Sequence, residues 1–211
     1  MNHRLLATSA LAVTLALSAA ACSSSGSSSS SSPATSAPAS SPAASSSASG
    51  AAAVDFGPAC SAVPTTGAGS FTGMSTAPVA TAASANPVLS TLVTAVTKAG
   101  LADTLNSAPA ITVFAPDNAA FAKIPSATLA KVLADKAELT KILTYHVATG
   151  RYTPAQLAAG TPIKTLEGAT IAPARMGGTY EVNSADVVCG NVQTANATVY
   201  NINPVLMPPS A

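Results

Sequence analysis

The fold of this chain is decided by the stretch Ile111-Thr112-Val113-Phe114-Ala115-Pro116-Asp117-Asn118-Ala119-Ala120-Phe121. Its first four residues are β-branched or aromatic, which favours a buried strand. Pro116 cannot continue a ladder of backbone hydrogen bonds, so we expect the strand to stop there. Asp117 or Asn118 then caps a short helix, and Phe121 turns inward. The stretch predicts a strand followed at once by a helix, and it contains no reactive group.

Working outward, apolar residues on both sides of this stretch recur at the spacing of amphipathic helices. Asn86 followed by Pro87 is an N-cap and first-turn pair, and Gly100 ends the helix that follows. Ser126 is predicted to cap a further helix. The apolar positions are Leu89, Leu92, Val93 and Val96 in the first helix, Leu129, Val132 and Leu133 in the second, and Leu139, Ile142 and Leu143 in its continuation up to Tyr145.

After Gly150 the pattern changes to short strands separated by turn residues. Gly177-Gly178 is typical of a two-residue hairpin turn. The predicted strands are Ile163–Leu166, Thr170–Ile171, Tyr180–Val182, Val187–Val192 and Thr198–Ile202. Helices that precede a run of strands indicate an α+β domain rather than a doubly wound sheet. We therefore expect the helices of the first half to pack on the strands of the second.

The composition excludes two classes of partner. Of the 211 residues 48% are hydrophobic and only 8% are charged, whereas soluble domains carry about 25% charged residues. The formal net charge is +1, and Lys and Arg form no cluster. Binding to nucleic acid or to an anionic lipid surface depends on such a basic patch. We expect no nucleic-acid partner.

Residues 1–21 have the order of an export signal. His3 and Arg4 form a basic start, residues 5–17 carry no charge, and small residues lead up to Ala21. A membrane-spanning anchor, the alternative, needs about 20 continuous apolar residues. Ser and Thr residues interrupt this run, so the sequence favours a signal peptide.

Cys22 follows the small residues directly, in a context that resembles a bacterial lipobox, where the thiol is acylated. Ala19 stands where most lipoboxes carry Leu, and an ordinary secretory peptidase would cut the same bond. The chain has three cysteines, and an exported protein with an odd number needs a use for the unpaired one. Acylation of Cys22 leaves Cys60 and Cys189, which an oxidising compartment allows to pair, two buried free thiols being the alternative. The sequence thus predicts a lipoprotein anchored to the outer face of the cell membrane.

The predicted domain organisation has three parts. Residues 1–21 form the signal peptide, and residues 22–54 form a lipidated tether of mostly Ser, Ala and Pro that has no large side chain to bury. Residues 55–211 form one domain with a core of about 70–209, which we expect to be monomeric. Glycosylation of the tether stays open.

Three segments together resemble the fasciclin-domain family. They are residues 111–121, Leu143-Thr144-Tyr145-His146-Val147, and the closing segment Asn196-Ala197-Thr198-Val199-Tyr200-Asn201-Ile202-Asn203-Pro204-Val205-Leu206-Met207-Pro208-Pro209. Their order and spacing match over nearly all of 70–209. Residues 73–75, 103–107 and 183–190 resemble the mycobacterial branch of secreted fasciclin-type antigens and cell-surface lipoproteins.

This resemblance implies further expectations. The family fold is an α+β wedge of two sheets with helices alongside, and the mycobacterial branch has a disulfide at the positions of Cys60 and Cys189. In animal relatives the segment matching Tyr145 and His146 has been linked to integrin binding, so these two are candidate interaction residues. The alternative is that they are structural, with His146 buried and its ring nitrogens hydrogen-bonded to backbone. Asn203 stands where many relatives have Asp, so we expect a neutral hydrogen bond there.

The sequence lacks the patterns of catalytic, metal and cofactor sites. Outside the signal peptide His146 is the single histidine, and there is no nucleophile elbow, Walker loop or dinucleotide fingerprint. Zinc sites usually need three or four ligands. We expect no cofactor, no metal and no enzyme activity, but a non-catalytic adhesion or interaction domain with an extracellular or host partner. The alternatives are a carrier of a small apolar ligand such as a lipid, held between the helices and one sheet, and a hydrolase that uses His146.

Overall fold

The computed structural model describes residues 54–209. The predicted signal peptide, Cys22 and all of the predicted tether except Val54 lie outside these residues. The described helices are α1 (Phe71–Ser75), α2 (Val79–Ser84), α3 (Ser90–Ala99), α4 (Ala102–Ser107), α5 (Asn118–Ala122), α6 (Ser126–Ala134), α7 (Lys136–Tyr145) and α8 (Pro154–Ala158), with 3-10 turns at Pro58–Ala62 and Pro87–Leu89.

The helix ends confirm most of the predicted start and stop signals. The Asn86 side chain accepts a hydrogen bond from the Val88 amide, and Gly100 ends α3 in the left-handed conformation. The Asp117 side chain caps α5 by accepting from the Ala120 amide. The prediction for Ser126 is wrong, because Ser126 is the first residue of α6 and its hydroxyl caps nothing. Pro125 before it already fixes an extended entry to the helix.

The strands form two sheets. They are β1 (Ile111–Pro116), β2 (Val147–Thr149), β3 (Ile163–Lys164), β4 (Thr170–Ile171), β5 (Pro173–Met176), β6 (Thr179–Val182), β7 (Ala185–Gln193) and β8 (Ala197–Asn203). Six of them pair in the order β2-β1-β8-β7-β6-β5, and β3 and β4 form a small sheet of their own. This confirms the α+β class and the expectation of two sheets.

The centre of the large sheet is a parallel pair, β1 and β8. Its register runs from Ile111 opposite Ala197 to Pro116 opposite Ile202, while the other neighbours in the sheet are antiparallel. Every residue of β1 is buried. Both faces of this pair are therefore covered, as expected for parallel strands.

Alternate residues of the two central strands enter two separate parts of the core. Val113 and Val199 belong to the larger apolar cluster, which they share with α2, α3 and α7. Phe114 and Tyr200 belong to the second cluster, and their rings stack with centroids 5.9 Å apart. Strand alternation thus allows one pair of strands to hold the two halves of the domain together.

Some elements were not predicted from the sequence. The strand β2 has three residues, β5 begins at Pro173, and α8 lies between Gly150 and the first predicted strand. Each is too short for a hydrophobic period to be recognised. For α8 the signal was present, since Thr153 and Gln156 form a capping box around Pro154.

Asn203 does not make the expected hydrogen bond through its amide oxygen. Its Oδ1 atom is buried and has no partner among the described residues. The neutral amide tolerates this burial at a lower cost than an ionised carboxylate would.

The lead-in segment, residues 54–62, is held on β7. Phe56 forms a two-hydrogen-bond bridge with Gly190, and its ring lies 4.7 Å from that of Tyr180 between centroids. A side chain at position 190 would overlap the Phe56 ring. A disulfide joins Cys60 to Cys189, so the lead-in segment is attached covalently to the centre of β7.

The disulfide is expected to stabilise the domain strongly, because it closes a loop with a sequence separation of 129 residues. In the chain-entropy model such a loop is worth about 5 kcal/mol, and loss of native disulfides from small domains usually costs about 2–5 kcal/mol. We expect the Cys60→Ser/Cys189→Ser double variant to lose free energy of unfolding in this range in urea denaturation. A reductant should lower the stability of the wild type to that of the variant and leave the variant unchanged. Equal unfolding midpoints for the oxidised wild type and the variant would contradict the assignment.

Candidate functional site

His146 lies at the C-terminal end of α7 and connects three parts of the chain. Its Nδ1 is 2.8 Å from the carbonyl oxygen of Ile142, and its Nε2 accepts a hydrogen bond of 3.0 Å from the Leu206 amide. Its own carbonyl accepts from the Phe114 amide of β1. An amide can only donate, so Nε2 carries no proton and Nδ1 donates to Ile142. The ring is therefore a neutral bridge between α7 and the C-terminal segment.

Burial keeps this imidazole neutral. Desolvation disfavours the charged ring and lowers the pKa of His146 from 6.5 to about 4, although the hydrogen bond to Ile142 opposes the shift. The residue is 2% exposed. Protonation of Nε2 would also break the bond to Leu206. Near neutral pH the ring has no free nitrogen with which to accept a proton from a substrate, because both nitrogens are occupied.

Tyr145 is also buried, at 2% exposure. Its hydroxyl accepts a hydrogen bond of 2.6 Å from Nδ2 of Asn183 and points to the carbonyl of Thr170 at 3.4 Å. Burial raises the pKa of this phenol, which the hydrogen bond from Asn183 partly offsets. The two candidate interaction residues are thus held inside the domain by contacts with distant segments. A partner at the surface of the folded domain does not meet these side chains.

An apolar pocket of about 270 Å³ opens to the surface of the domain. It is lined by residues of α2, α3, α4, α7, β1 and β2 together with Leu101 and Leu166. We call it the apolar pocket. The buried residues of its lining are Val79, Leu92, Val96, Leu105, Val113, Leu143 and Val147. It lies between helices and one sheet, which is the place that the alternative function, a carrier of a small apolar ligand, would require.

The polar residues of the apolar pocket are largely satisfied within the protein. The hydroxyls of Ser84, Thr97 and Thr144 each donate to a carbonyl oxygen of their own helix or the turn before it. Nδ2 of Asn106 donates to the hydroxyl of Thr81. No charged and no aromatic residue is in the lining. The pocket therefore offers apolar contact and little hydrogen-bonding capacity.

Two asparagines position the α2 side of the pocket. Pro78 precedes α2, and no side chain of its own segment caps it. Oδ1 of Asn196 accepts from the Val79 amide, and Oδ1 of Asn106 accepts from the next two amides. Nδ2 of Asn196 donates to the carbonyls of Leu105 and Ala108, at the end of α4. The free ends of both helices are thus capped from remote positions.

The role of these asparagines was not predicted from the sequence. Asn196 stands in the quoted closing segment and Asn106 in the segment 103–107, so their place in recurring motifs was the signal available. Asn118 is a related case, because it caps α3 rather than α5, by accepting from the Thr91 amide. Sequence cannot show which distant amide a side chain will meet.

The described residues bring few reactive groups together. In residues 54–209 no group of three or more His, Cys, Asp or Glu side chains is placed to hold a metal ion. Lys141 and Glu167 form an ion pair of 3.8 Å. Within the same residues, no helix has the length and apolar character to cross a membrane.

The buried His146 is expected to make stability depend on pH. Its pKa is about 4 in the folded chain against 6.5 when exposed, so the unfolded chain takes up the proton first as the pH falls. The neutral ring makes its full contribution to the free energy of unfolding above about pH 7.5. This contribution decreases as the pH falls below 6.5, and at pH 5 it is smaller by about 2 kcal/mol. We expect the stability advantage of the wild type over His146→Gln, measured by urea unfolding, to shrink by this amount between pH 7.5 and pH 5. Parallel pH profiles would show that the ring is not buried in its neutral form.

Comparison with known proteins agrees with this architecture. The family model of the fasciclin domain matches residues 87–208. The immunogenic protein MPB70 of Mycobacterium bovis is 49% identical over 169 residues, which cover 76% of this chain and 86% of that protein. The cell surface glycolipoprotein MPT83 of Mycobacterium tuberculosis is 49% identical over 150 residues, which cover 69% of this chain and 67% of that protein.

Among solved structures, a FAS1 domain pair from the insect cell adhesion molecule Fasciclin I aligns with a TM-score of 0.54 and 19% identity. The alignment covers 64% of this chain and 52% of that one. At this identity the likeness shows the fold alone. The family model and the mycobacterial relatives show that this chain belongs to the fasciclin-domain family.

Proposed function

We propose that this protein is an exported lipoprotein that displays a non-catalytic fasciclin domain at the cell surface, where the domain binds an extracellular or host partner. The observation that carries the proposal is the 49% identity to a protein named as a cell surface glycolipoprotein, in a chain with its own cysteine directly after an export-type sequence. Cys22 would carry the acyl chains, and residues 22–54 would separate the domain from the membrane.

The physical properties of the two N-terminal parts suit this role. Two or more acyl chains give stable anchoring, since each buried methylene adds about 0.8 kcal/mol and one chain alone binds only reversibly. Residues 22–54 are mostly Ser, Ala and Pro, a composition that favours a flexible linker stiffened by its prolines. Within the described residues, Cys60 is joined to β7 by the disulfide. A force applied to the chain before Cys60 would therefore reach the large sheet through a covalent bond.

The state of the titratable groups supports a function without catalysis. General acid–base work needs a group whose pKa lies near the working pH and which can reach the substrate. His146 meets neither condition, because its pKa is about 4 and it is 2% exposed. We therefore expect the interaction surface to consist of exposed residues other than Tyr145 and His146.

Acylation of Cys22 can be tested by metabolic labelling with an alkyne-bearing fatty acid. We expect labelled protein in the membrane fraction from the wild type and loss of the label in Cys22→Ala. Ser25→Ala is the matched control, because it is a substitution of similar size close to Cys22 that leaves Cys22 and the disulfide cysteines intact, and it should retain the label. Equal labelling of Cys22→Ala and the wild type would refute the lipid anchor.

Partner binding can be tested with cells that display the protein. We expect adhesion to host cells or matrix with the full chain and its loss when residues 70–209 are deleted. His146→Ala should lower the melting temperature, because it removes two hydrogen bonds in the core, yet leave adhesion unchanged below that temperature. Selective loss of adhesion in a folded His146→Ala protein would instead place the buried pair in the binding site. Undiminished adhesion after the deletion would exclude the domain as the binding module.

A further inference from the structure

The apolar pocket has the properties of a ligand site rather than of a packing defect. Protein interiors contain few voids larger than a water molecule. A cavity of about 150 Å³ already binds benzene, and this pocket has about 270 Å³. Small-molecule sites begin at about 300 Å³. The pocket is therefore large enough for part of a small ligand.

The chemistry of the lining selects an aliphatic ligand. A peptide would bring backbone N–H and C=O groups that need partners, whereas the polar groups of Ser84, Thr97 and Thr144 are already bonded to their own backbone. An aromatic ligand would find no ring to stack on, and a charged group would find no counter-charge inside. At about 30 Å³ for each water-sized group, 270 Å³ accommodates roughly nine methylene-sized groups.

One end of the pocket has the features of an entrance for an amphiphile. Leu166 belongs to the lining yet is 43% exposed. The next residue, Glu167, pairs with Lys141, which precedes the lining residue Thr144 by three positions on α7 and so lies on the same helix face. The Lys141 side chain is 41% exposed. The ammonium group of Lys141 thus lies just outside the apolar lining, where it is partly exposed and can pair with a second carboxylate besides Glu167.

We propose that the apolar pocket binds a single fatty acyl chain, which enters past Leu166 and leaves its carboxylate outside, close to the ammonium group of Lys141. The end of the chain that is remote from the carboxylate fills the pocket with roughly nine carbons, and in longer acids the carbons next to the carboxylate remain outside it. This site is separate from the proposed anchor and does not depend on it. The protein would then present or carry a fatty acid in addition to binding a surface partner.

The test is calorimetric titration of fatty acids of six to twelve carbons into the full chain carrying Cys22→Ala, purified without detergent, so that no attached acyl chain competes. We expect one site whose affinity rises with chain length up to about nine or ten carbons and then levels off. Val93→Phe and Ala102→Leu place bulk in the pocket and should each reduce the affinity for decanoate at least tenfold. Ala130→Leu is the matched control, because it makes the same kind of change at an exposed position of α6 outside the lining.

The position of the carboxylate is tested with Lys141→Met. Affinity for decanoate should fall severalfold, while affinity for decanol should stay the same. The circular dichroism spectrum and melting curve of each variant establish that it is folded, and two filling variants are used so that one misfolded protein does not decide the result. The proposal would be overturned if both folded filling variants bound decanoate as tightly as Ala130→Leu does. It would also be overturned if no one-site binding were observed. An unchanged decanoate affinity in Lys141→Met would overturn the placement of the carboxylate.

Discussion

The parallel pairing of β1 and β8 is the constraint on which the rest of the structure depends. These strands lie far apart in sequence, and pairing them closes a loop that contains α5–α8 and β2–β7. Because both faces of the pair are buried, the helices of the first half must cover one face and the later strands and α8 the other. Two of the three segments that resemble the family, residues 111–121 and 196–209, contain the two members of this pair. Their main role is therefore to close the fold.

Tyr145 and His146, the polar residues most easily taken for a functional site, also help to hold the fold together. His146 connects α7, β1 and the segment around Leu206, and Tyr145 contacts Asn183 and Thr170 through its hydroxyl. A neutral imidazole with one donor and one acceptor fits a backbone carbonyl and a backbone amide at once, which no other side chain of similar shape does. The two hydrogen bonds of the ring account for a histidine at this position through the needs of the fold alone.

The proposed anchoring, surface binding and ligand binding would use different parts of this chain. The proposed anchor precedes the described residues, and the lead-in segment is joined to β7 through Cys60. The apolar pocket is formed by the helices and the β1–β2 side of the sheet. A domain with 8% charged residues in its chain and one ion pair among residues 54–209 gains little specificity from charge. A partner of the kind proposed would therefore be recognised mainly by shape and apolar contact.

The sequence by itself determined the local features of this protein. The cap at Asn86, the end of α3 at Gly100, the cap by Asp117 and the turn at Gly177-Gly178 were all predicted, since each depends on residues within a few positions of one another. The α+β class followed from the order of these elements. The same locality explains why short elements such as β2 were missed.

Only the tertiary structure decided which distant groups meet. The capping of α2 by Asn106 and Asn196, the burial of Tyr145 and His146, and the apolar pocket all join segments that are remote in sequence. Such contacts form only when the chain has closed its long loops, and their geometry is set by packing rather than by local preference. Residue types can therefore predict a helix or a turn, whereas a cavity exists only between elements that have already packed.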